Sequence, residues 1–549
     1  MNKHALYHKS DSLYAFAVTD DCVEIRLRTA RGDVAGVELI YGAKHAFCRH
    51  RKTAPMRLAT SDELYDYFIL RFRPDDKRLA YVFLITDGDG KKWYYSEDGA
   101  TERYDFSLAY YNFFQLAYIN PNDVMPRVDW LSRAVVYQIF VDRFNRAEDG
   151  TDAGFINLKW GDKPTPKSFA GGNLAGITQK LDYLTDLGVN TLYLTPIFTS
   201  VSNHKYDISD YYNVDPHFGG NKAFGELMDA CKARGVRVVL DAVFNHCSDS
   251  LKEFKDVCER GAKSPYHDFF VIHGDVPSKR PLNYEVFADC DYMPKWNTAN
   301  PAVQDYLCDI GEYWIKKYGI DGWRLDVSDE VSHGFWRKFR ERVKACGSDK
   351  VLIGENWHDS RSYLRGEQFD SIMNYAFTKA MLDYFVNGTL TPQELCDKLN
   401  GLLMRNITQV NYMMLNLLDC HDTHRFYTMC GCDENKLLCA LAVNVFMPGA
   451  TMVYYGTEIP LEGGYDPDSR RCFDWGEHAF THRVKELLKY KKLRALAEGE
   501  VRFGTENGLF TVERKTNGQT ATLFVNGTPR AVETRGITVG AGRYAVIVE

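Results

Sequence analysis

The chain has 549 residues, too many for one ordinary hydrophobic core, so a large domain flanked by smaller ones is expected. Hydrophobic residues at 45% and charged ones at 26% exclude a disordered or fibrous chain. A net charge of -7 leaves no basic surplus to neutralise a phosphate backbone or an anionic membrane, which excludes nucleic acid and membrane as partners.

The first residues, MNKHALYHKSDSLYAF, carry neither the apolar stretch nor the small-residue cleavage site of a secretory signal, so a cytoplasmic protein is expected. Residues 1–122 alternate apolar and polar positions in short runs, such as Val23-Glu24-Ile25-Arg26-Leu27-Arg28, and predict an N-terminal β-sandwich. From about residue 133 the texture changes to compact apolar runs separated by amphipathic helical patterns. The predicted strands are 135–140, 190–194, 236–240, 322–325, 351–353, 371–373, 413–418 and 451–455, and helices are predicted over 174–187, 222–234, 303–318 and 335–345. This βα alternation predicts an α/β fold, a (β/α)8 TIM barrel over 123–490. The irregular stretch 247–299 is too long for an ordinary connection and reads as an excursion domain after strand 3. The apolar stretch 437–455 contains Asn444 and is broken by Pro448-Gly449, which suits a buried helix, a turn and a strand rather than a membrane span. Short strands return at 509–512, 520–525 and 544–548, predicting a small C-terminal β domain over 491–549. The 14 cysteines are scattered, and the closest pair, Cys430 and Cys432, has neither zinc nor redox spacing, so they read as reduced thiols.

Several barrel strands end in residues suited to acid/base chemistry. Strand three runs into Asp241-Ala242-Val243-Phe244-Asn245-His246, strand four into Arg324-Leu325-Asp326, strand five into Glu355-Asn356-Trp357-His358, and strand seven into Asp419-Cys420-His421-Asp422. In such a barrel all strand C-termini open on one face, so groups far apart in sequence converge on one mouth. Any one carboxylate alone reads equally well as a helix cap or a surface ion pair; the whole set at strand ends does not. Paired carboxylates suit glycoside cleavage, one attacking the anomeric carbon while the other protonates the departing oxygen. Arg324, two residues before Asp326, points to the same face and is expected to keep Asp326 ionised, while Glu355 must start protonated. His246, His421 and Asp422 are then expected to hydrogen-bond sugar hydroxyls.

These four segments resemble, in order, the core motifs of the α-amylase superfamily of glycoside hydrolases. The resemblance implies Asp326 as nucleophile, Glu355 as acid/base and Asp422 as the third catalytic carboxylate, which grips and distorts the sugar. In Asn203-His204-Lys205-Tyr206-Asp207 it implies Tyr206 as the aromatic platform under the scissile ring, with His204 beside it in the substrate-binding set. Met293-Pro294-Lys295-Trp296-Asn297 is similar to the MPKLN segment of neopullulanases, cyclomaltodextrinases and maltogenic amylases. Glu330, after the nucleophile, and Gly463-Gly464-Tyr465-Asp466-Pro467-Asp468-Ser469-Arg470-Arg471 resemble the same group, which implies Asp466 and Arg470 as glycone-binding residues. Phe287 and Trp357 look like acceptor-side aromatics. By the same resemblance the N-terminal module is of the starch-binding type and forms a homodimer, and the substrates are cyclomaltodextrin, maltooligosaccharide and pullulan, cleaved at α-1,4 bonds with some α-1,6 cleavage. Transfer to a sugar hydroxyl through the same intermediate is the alternative activity, and a non-catalytic glucan-binding scaffold the remote one.

Thr457 stands where this group usually has Asp, Asn356 and Trp296 replace aliphatics, and Cys420 replaces a small residue; none of these removes a catalytic group. No cofactor is required by the chemistry. A structural calcium site of relatives maps to Asn145, Asp149, Gly172 and Asn173, with Ala147 and Asn173 where carboxylates are expected.

Overall fold

The structure is a computed structural model that describes every residue except Ser12, Asp149 and Thr151. In the N-terminal part, strand Lys52–Ser61 pairs by its first half with Val34–Ala43 (Tyr41 opposite Lys52) and by its second half with Tyr65–Phe72 (Ser61 opposite Asp66). It thus carries one continuous antiparallel sheet from one layer into the next. Ile25 and Leu27 from one layer meet Leu39, Phe83 and Ile85 from the other in a common core. The opposite face of Val23–Ala30 departs from simple alternation, because Glu24 and Arg26 are buried too. They face the barrel, where Arg26 donates to the Asn406 carbonyl at 2.8 Å and to Thr408 Oγ1 at 3.0 Å.

The eight barrel strands are Val135–Ile139 (β1), Thr191–Leu194 (β2), Arg237–Ala242 (β3), Gly322–Leu325 (β4), Val351–Gly354 (β5), Ser371–Ile372 (β6), Leu415–Asn416 (β7) and Ala450–Tyr454 (β8). All pairings are parallel, in the order β6-β5-β4-β3-β2-β1-β8-β7. A parallel bridge between Met373 and Leu415 closes the ring. Nearly every residue of these strands is buried, as expected where one face packs inside the ring and the other against helices. The seventh strand is shorter than its apolar run because Met413 and Met414 already belong to the turn that follows helix Thr408–Asn411. The helix predicted over 174–187 is two, Leu174–Gln179 and Leu181–Leu187, interrupted at Lys180.

After β3 the chain leaves the barrel at His246 and returns beside it. His246 forms an antiparallel bridge with Lys295, and the Trp296 N–H donates to the Asn245 carbonyl at 3.0 Å. The excursion holds one α-helix, Lys252–Arg260. At the C-terminus, strands Glu500–Glu506, Leu509–Thr516, Gln519–Val525 and Tyr544–Val548 form an antiparallel sheet whose Phe510, Val512 and Leu523 merge into the barrel core. The hairpin Val532–Thr534 with Ile537–Val539 was not expected. Among the described residues, no helix is long and apolar enough to cross a membrane.

Candidate active site

Arg324 organises the mouth of the barrel. In the parallel register Asp241 of β3 lies opposite Arg324 of β4, so their side chains share a face, and Nη1 donates to Asp241 Oδ1 and Oδ2 at 3.0 and 3.2 Å. Asp326 follows two residues after Arg324, on the same side, and its Oδ1 accepts from Nη1 at 2.6 Å. Glu355 lies just beyond β5, with its N–H bonded to the Leu325 carbonyl at 2.9 Å, and its Oε2 pairs with Arg324 Nη2 at 2.9 Å. One buried guanidinium therefore holds three carboxylates, and Asp326 and Glu355 share it. A Cβ at Gly354 would meet the Phe369 ring at 2.6 Å, so glycine there lets β5 deliver Glu355 at this depth.

The residue after Asp326, Val327, has φ 44°, a left-handed conformation rare for a β-branched side chain. That turn aims its N–H at Glu355 Oε2, 2.9 Å away, while Trp357 Nε1 donates to Oε1 at 3.2 Å. Asp326 Oδ2, by contrast, is buried with no partner. Burial pushes the Asp326 carboxyl well above the usual carboxylate range; Arg324 opposes this without cancelling it, and Glu355 and Asp241 add repulsion. Arg324 thus pulls the Asp326 carboxyl down in the direction expected of it, but in this site desolvation outweighs that pull. Burial also raises Glu355, against the pull of Arg324, and raises Asp241 to about 6. Three carboxyls around a single cation repel one another, so the cluster titrates as a unit and retains a proton where isolated carboxylates would have lost theirs.

The rest of the expected set surrounds this cluster. Tyr206 donates to Asp241 Oδ2 at 2.9 Å and touches His421 Nε2 through its hydroxyl. Its loop is anchored by Lys205, at φ 64°, whose buried Nζ pairs with Asp215 at 2.7 Å and donates to the Ser200 carbonyl at 3.1 Å. His204 Nδ1 accepts the Tyr206 N–H at 3.1 Å. Asp422 is bracketed by His421 Nε2 at 3.2 Å and Arg470 Nη2 at 3.3 Å, and Arg470 Nη1 pairs with Asp466 at 2.9 Å. His246 Nε2 is buried and unpartnered, and its ring stacks on Phe287 with centroids 4.6 Å apart. Burial lowers His246 to about 3 and His204 to about 4, so both rings are neutral hydrogen-bonding groups at neutral pH. Trp357 is 45% exposed and lies flat on Tyr375 at 3.7 Å. Glu330 stands further out, paired with Lys295 Nζ at 3.0 Å.

The structure adds members that the sequence did not single out. Tyr193 of β2 donates to Asp241 Oδ2 at 2.7 Å, Gln138 of β1 contacts His421 Nδ1 at 2.8 Å, and Tyr375 braces Trp357. Tyr193 and Gln138 lie inside apolar strand runs; inward-facing polar positions in a barrel strand were the available signal. Tyr465, beside Asp466 and 5.5 Å from the His424 ring, is 63% exposed at the rim.

Residues 145–176 test the fit of a calcium ion. Asn173 Oδ1 accepts N–H groups from Ala147 at 3.1 Å and Gly176 at 2.8 Å, and its Nδ2 donates to the Ala147 carbonyl at 2.9 Å. Asn145 Nδ2 donates to the Gly176 carbonyl at 3.0 Å. Gly172 passes so close to the chain that a Cβ would meet the Val141 carbonyl oxygen at 2.2 Å. An oxygen already taking two N–H donors has no lone pair for a cation, so Asn173 Oδ1 is not available as a calcium ligand in this arrangement. Asp149, the remaining expected ligand, lies outside the described residues.

Comparison with known proteins matches residues 138–516 to the family described as alpha amylase, catalytic domain, and residues 1–120 to alpha amylase, N-terminal ig-like domain. A cyclomaltodextrinase of Thermoanaerobacter pseudethanolicus is 42% identical, covering 94% of this chain and 89% of its own length. An intracellular maltogenic amylase of Bacillus subtilis is 39% identical, covering 93% of this chain and 86% of its own length. The solved structure of a cyclomaltodextrinase superposes with a TM-score of 0.92 at 36% identity, covering 97% of this chain and 92% of its own.

Proposed function

The chain belongs to the α-amylase family, and we propose that within it this protein is a retaining α-glucan hydrolase that opens cyclomaltodextrins and also cleaves maltooligosaccharides and pullulan. The observation that carries this reading is the pair of carboxyls on one guanidinium, with a buried Asp326 oxygen left without a partner. Asp326 Oδ2 attacks the anomeric carbon while Glu355 gives its proton to the departing glucosyl oxygen. Asp326 then leaves as water, deprotonated by Glu355, takes its place, and the configuration is retained. His246, His421 and Asp422 hold the hydroxyls of the distorted ring, with Asp466 and Arg470 beyond them and Tyr206 beneath it. Phe287 and Trp357 offer aromatic faces to the acceptor side. The relatives bearing the names cyclomaltodextrinase and maltogenic amylase, and the MPKWN segment of the excursion, support the choice of substrate. Incubation with β-cyclodextrin, soluble starch and pullulan tests it: the cyclic substrate is expected to disappear fastest, and faster attack on starch sinks the assignment.

Transfer to sugars is the second reading. The exposed face of Trp357 favours it, because an acceptor sugar stacked there competes with water for the glycosyl-enzyme. We place the protein in the cytoplasm, as the name of the Bacillus subtilis relative suggests, and as a homodimer through its N-terminal module. Leu108, Tyr110, Tyr111 and Tyr118 of that module are all more than half exposed, large side chains of the kind a partner surface covers. No cofactor enters the reaction, and the Asn173 stitch is proposed to hold its loop junction without calcium.

A further inference from the structure

We propose that Cys420, His421 and Asp422 form a binding site for a borderline-soft divalent cation such as zinc, and that its occupation blocks the glycone pocket. One ligand atom from each residue, the Cys420 Sγ, a His421 ring nitrogen and an Asp422 carboxylate oxygen, lies within 4.8 Å of the others. Zinc takes thiolate, imidazole and carboxylate at about 2.0–2.3 Å in a tetrahedron, so small side-chain rotations close this triangle around one ion. A thiolate in the set selects zinc or cadmium over magnesium or calcium. Asp422 is the partly exposed member and opens the way in from the barrel mouth; Cys420 and His421 are buried behind it.

A second observation comes from the strand behind the histidine. Gln138 is fully buried, its Nε2 lies 2.8 Å from His421 Nδ1, and its Oε1 has no partner. Turning that amide over gives Oε1 the Nδ1 proton to accept and leaves Nε2 a lone pair beside Asp422, one that takes the Tyr206 hydroxyl until a cation displaces it. A metal-bound histidine has this arrangement, its other ring nitrogen donating to a fixed oxygen. On binding, the Cys420 thiol releases its proton to solvent, and the cation takes the place at His421 Nε2 of the Tyr206 hydroxyl, which keeps its bond to Asp241, and of the Asp422 carboxylate contact at 3.2 Å. Tyr375, whose hydroxyl lies 3.5 Å from Cys420 Sγ, closes the far side.

Metal binding stands on this geometry alone, whereas blockage rests on the reading of His421 and Asp422 as sugar-holding groups, so the test reads them separately. Cadmium titrated into the whole protein is expected to raise the ultraviolet sulfur-to-cadmium band by one more equivalent in the wild type than in Cys420→Ser. Zinc is expected to inhibit hydrolysis of β-cyclodextrin reversibly, with Cys420→Ser needing about tenfold more zinc for the same fractional loss. Equal bands in the two proteins overturn the site. A band that differs while zinc leaves the wild-type rate untouched overturns the blockage. Should Cys420→Ser fail to fold, His421→Gln read by the cadmium band alone serves the same purpose, and an undiminished affinity overturns the site.

Discussion

Asp326 and Glu355 differ in what their oxygens already do. Both Glu355 oxygens accept hydrogen bonds, from the Val327 N–H and the Trp357 indole, whereas Asp326 keeps one buried oxygen bare. A nucleophile needs an unshielded lone pair, and an acid needs a fixed position over the leaving oxygen, so the geometry divides the roles. Small-anion rescue distinguishes them. Asp326→Ala should lose activity by a factor on the order of a thousand or more, and added azide should yield the β-glycosyl azide, because attack now occurs once with inversion. Glu355→Ala should spare substrates with acidic leaving groups, and azide should yield the α-product through the intact Asp326 intermediate. The opposite stereochemistry in either variant reverses the assignment.

Among the elements, strand Val23–Ala30 joins two folding units. Its outer-face Glu24 is paired with Arg26 at 2.8 Å and Arg71 at 2.6 Å, and Thr408 of the barrel donates to both of its oxygens at 3.1 and 3.2 Å. Burial alone raises Glu24, but Arg26 and Arg71 outweigh it and the net position lies below the ordinary 4.5. A carboxyl with a depressed folded value contributes stability that is present above 4.5 and lost as the pH falls through the folded value. Glu24→Gln leaves Arg26, only 2% exposed, without its counter-charge, at a cost of about 3 kcal/mol near neutral pH. The gap in Tm between this variant and the wild type should narrow as the pH is lowered below 4.5; an unchanged Tm near neutrality would show that the pair does not hold the N-terminal module to the barrel.

Across the whole molecule, acid sensitivity is written into the buried histidines. His8, bonded to the Arg26 carbonyl at 2.7 Å and to the Tyr81 hydroxyl at 2.8 Å, is lowered by burial to about 3, and His246 likewise. His204 falls to about 4, and His421 lies well below its ordinary 6.5. Below 6.5 the unfolded chain takes up protons that the folded one refuses, so these groups favour folding fully above 6.5 and progressively less down to about 3. The urea midpoint should therefore be lower at about pH 5 than at about pH 7.5; a flat or rising midpoint on acidification contradicts the burial of neutral rings. At the same scale, EDTA should leave Tm unchanged if the Asn173 stitch suffices, and a drop reversed by added calcium would show that it does not.

The amino-acid sequence by itself determined the eight strand runs, the family, and the strand-end positions of Asp326, Glu355, His421 and Asp422, because period and motif order are local properties that survive without coordinates. It could not say that Asp241 and Arg324 would be register partners, that Gln138 and Tyr193 would reach the mouth from β1 and β2, or that Tyr375 would lie beneath Trp357. Nor did alternation reveal that both faces of Val23–Ala30 are buried, since the second face is covered by chain nearly 400 residues away. Those facts are long-range contacts, and so is the competition between burial and Arg324 at Asp326. How many carboxyls crowd one guanidinium, and how much water is kept from them, is decided only when the barrel closes.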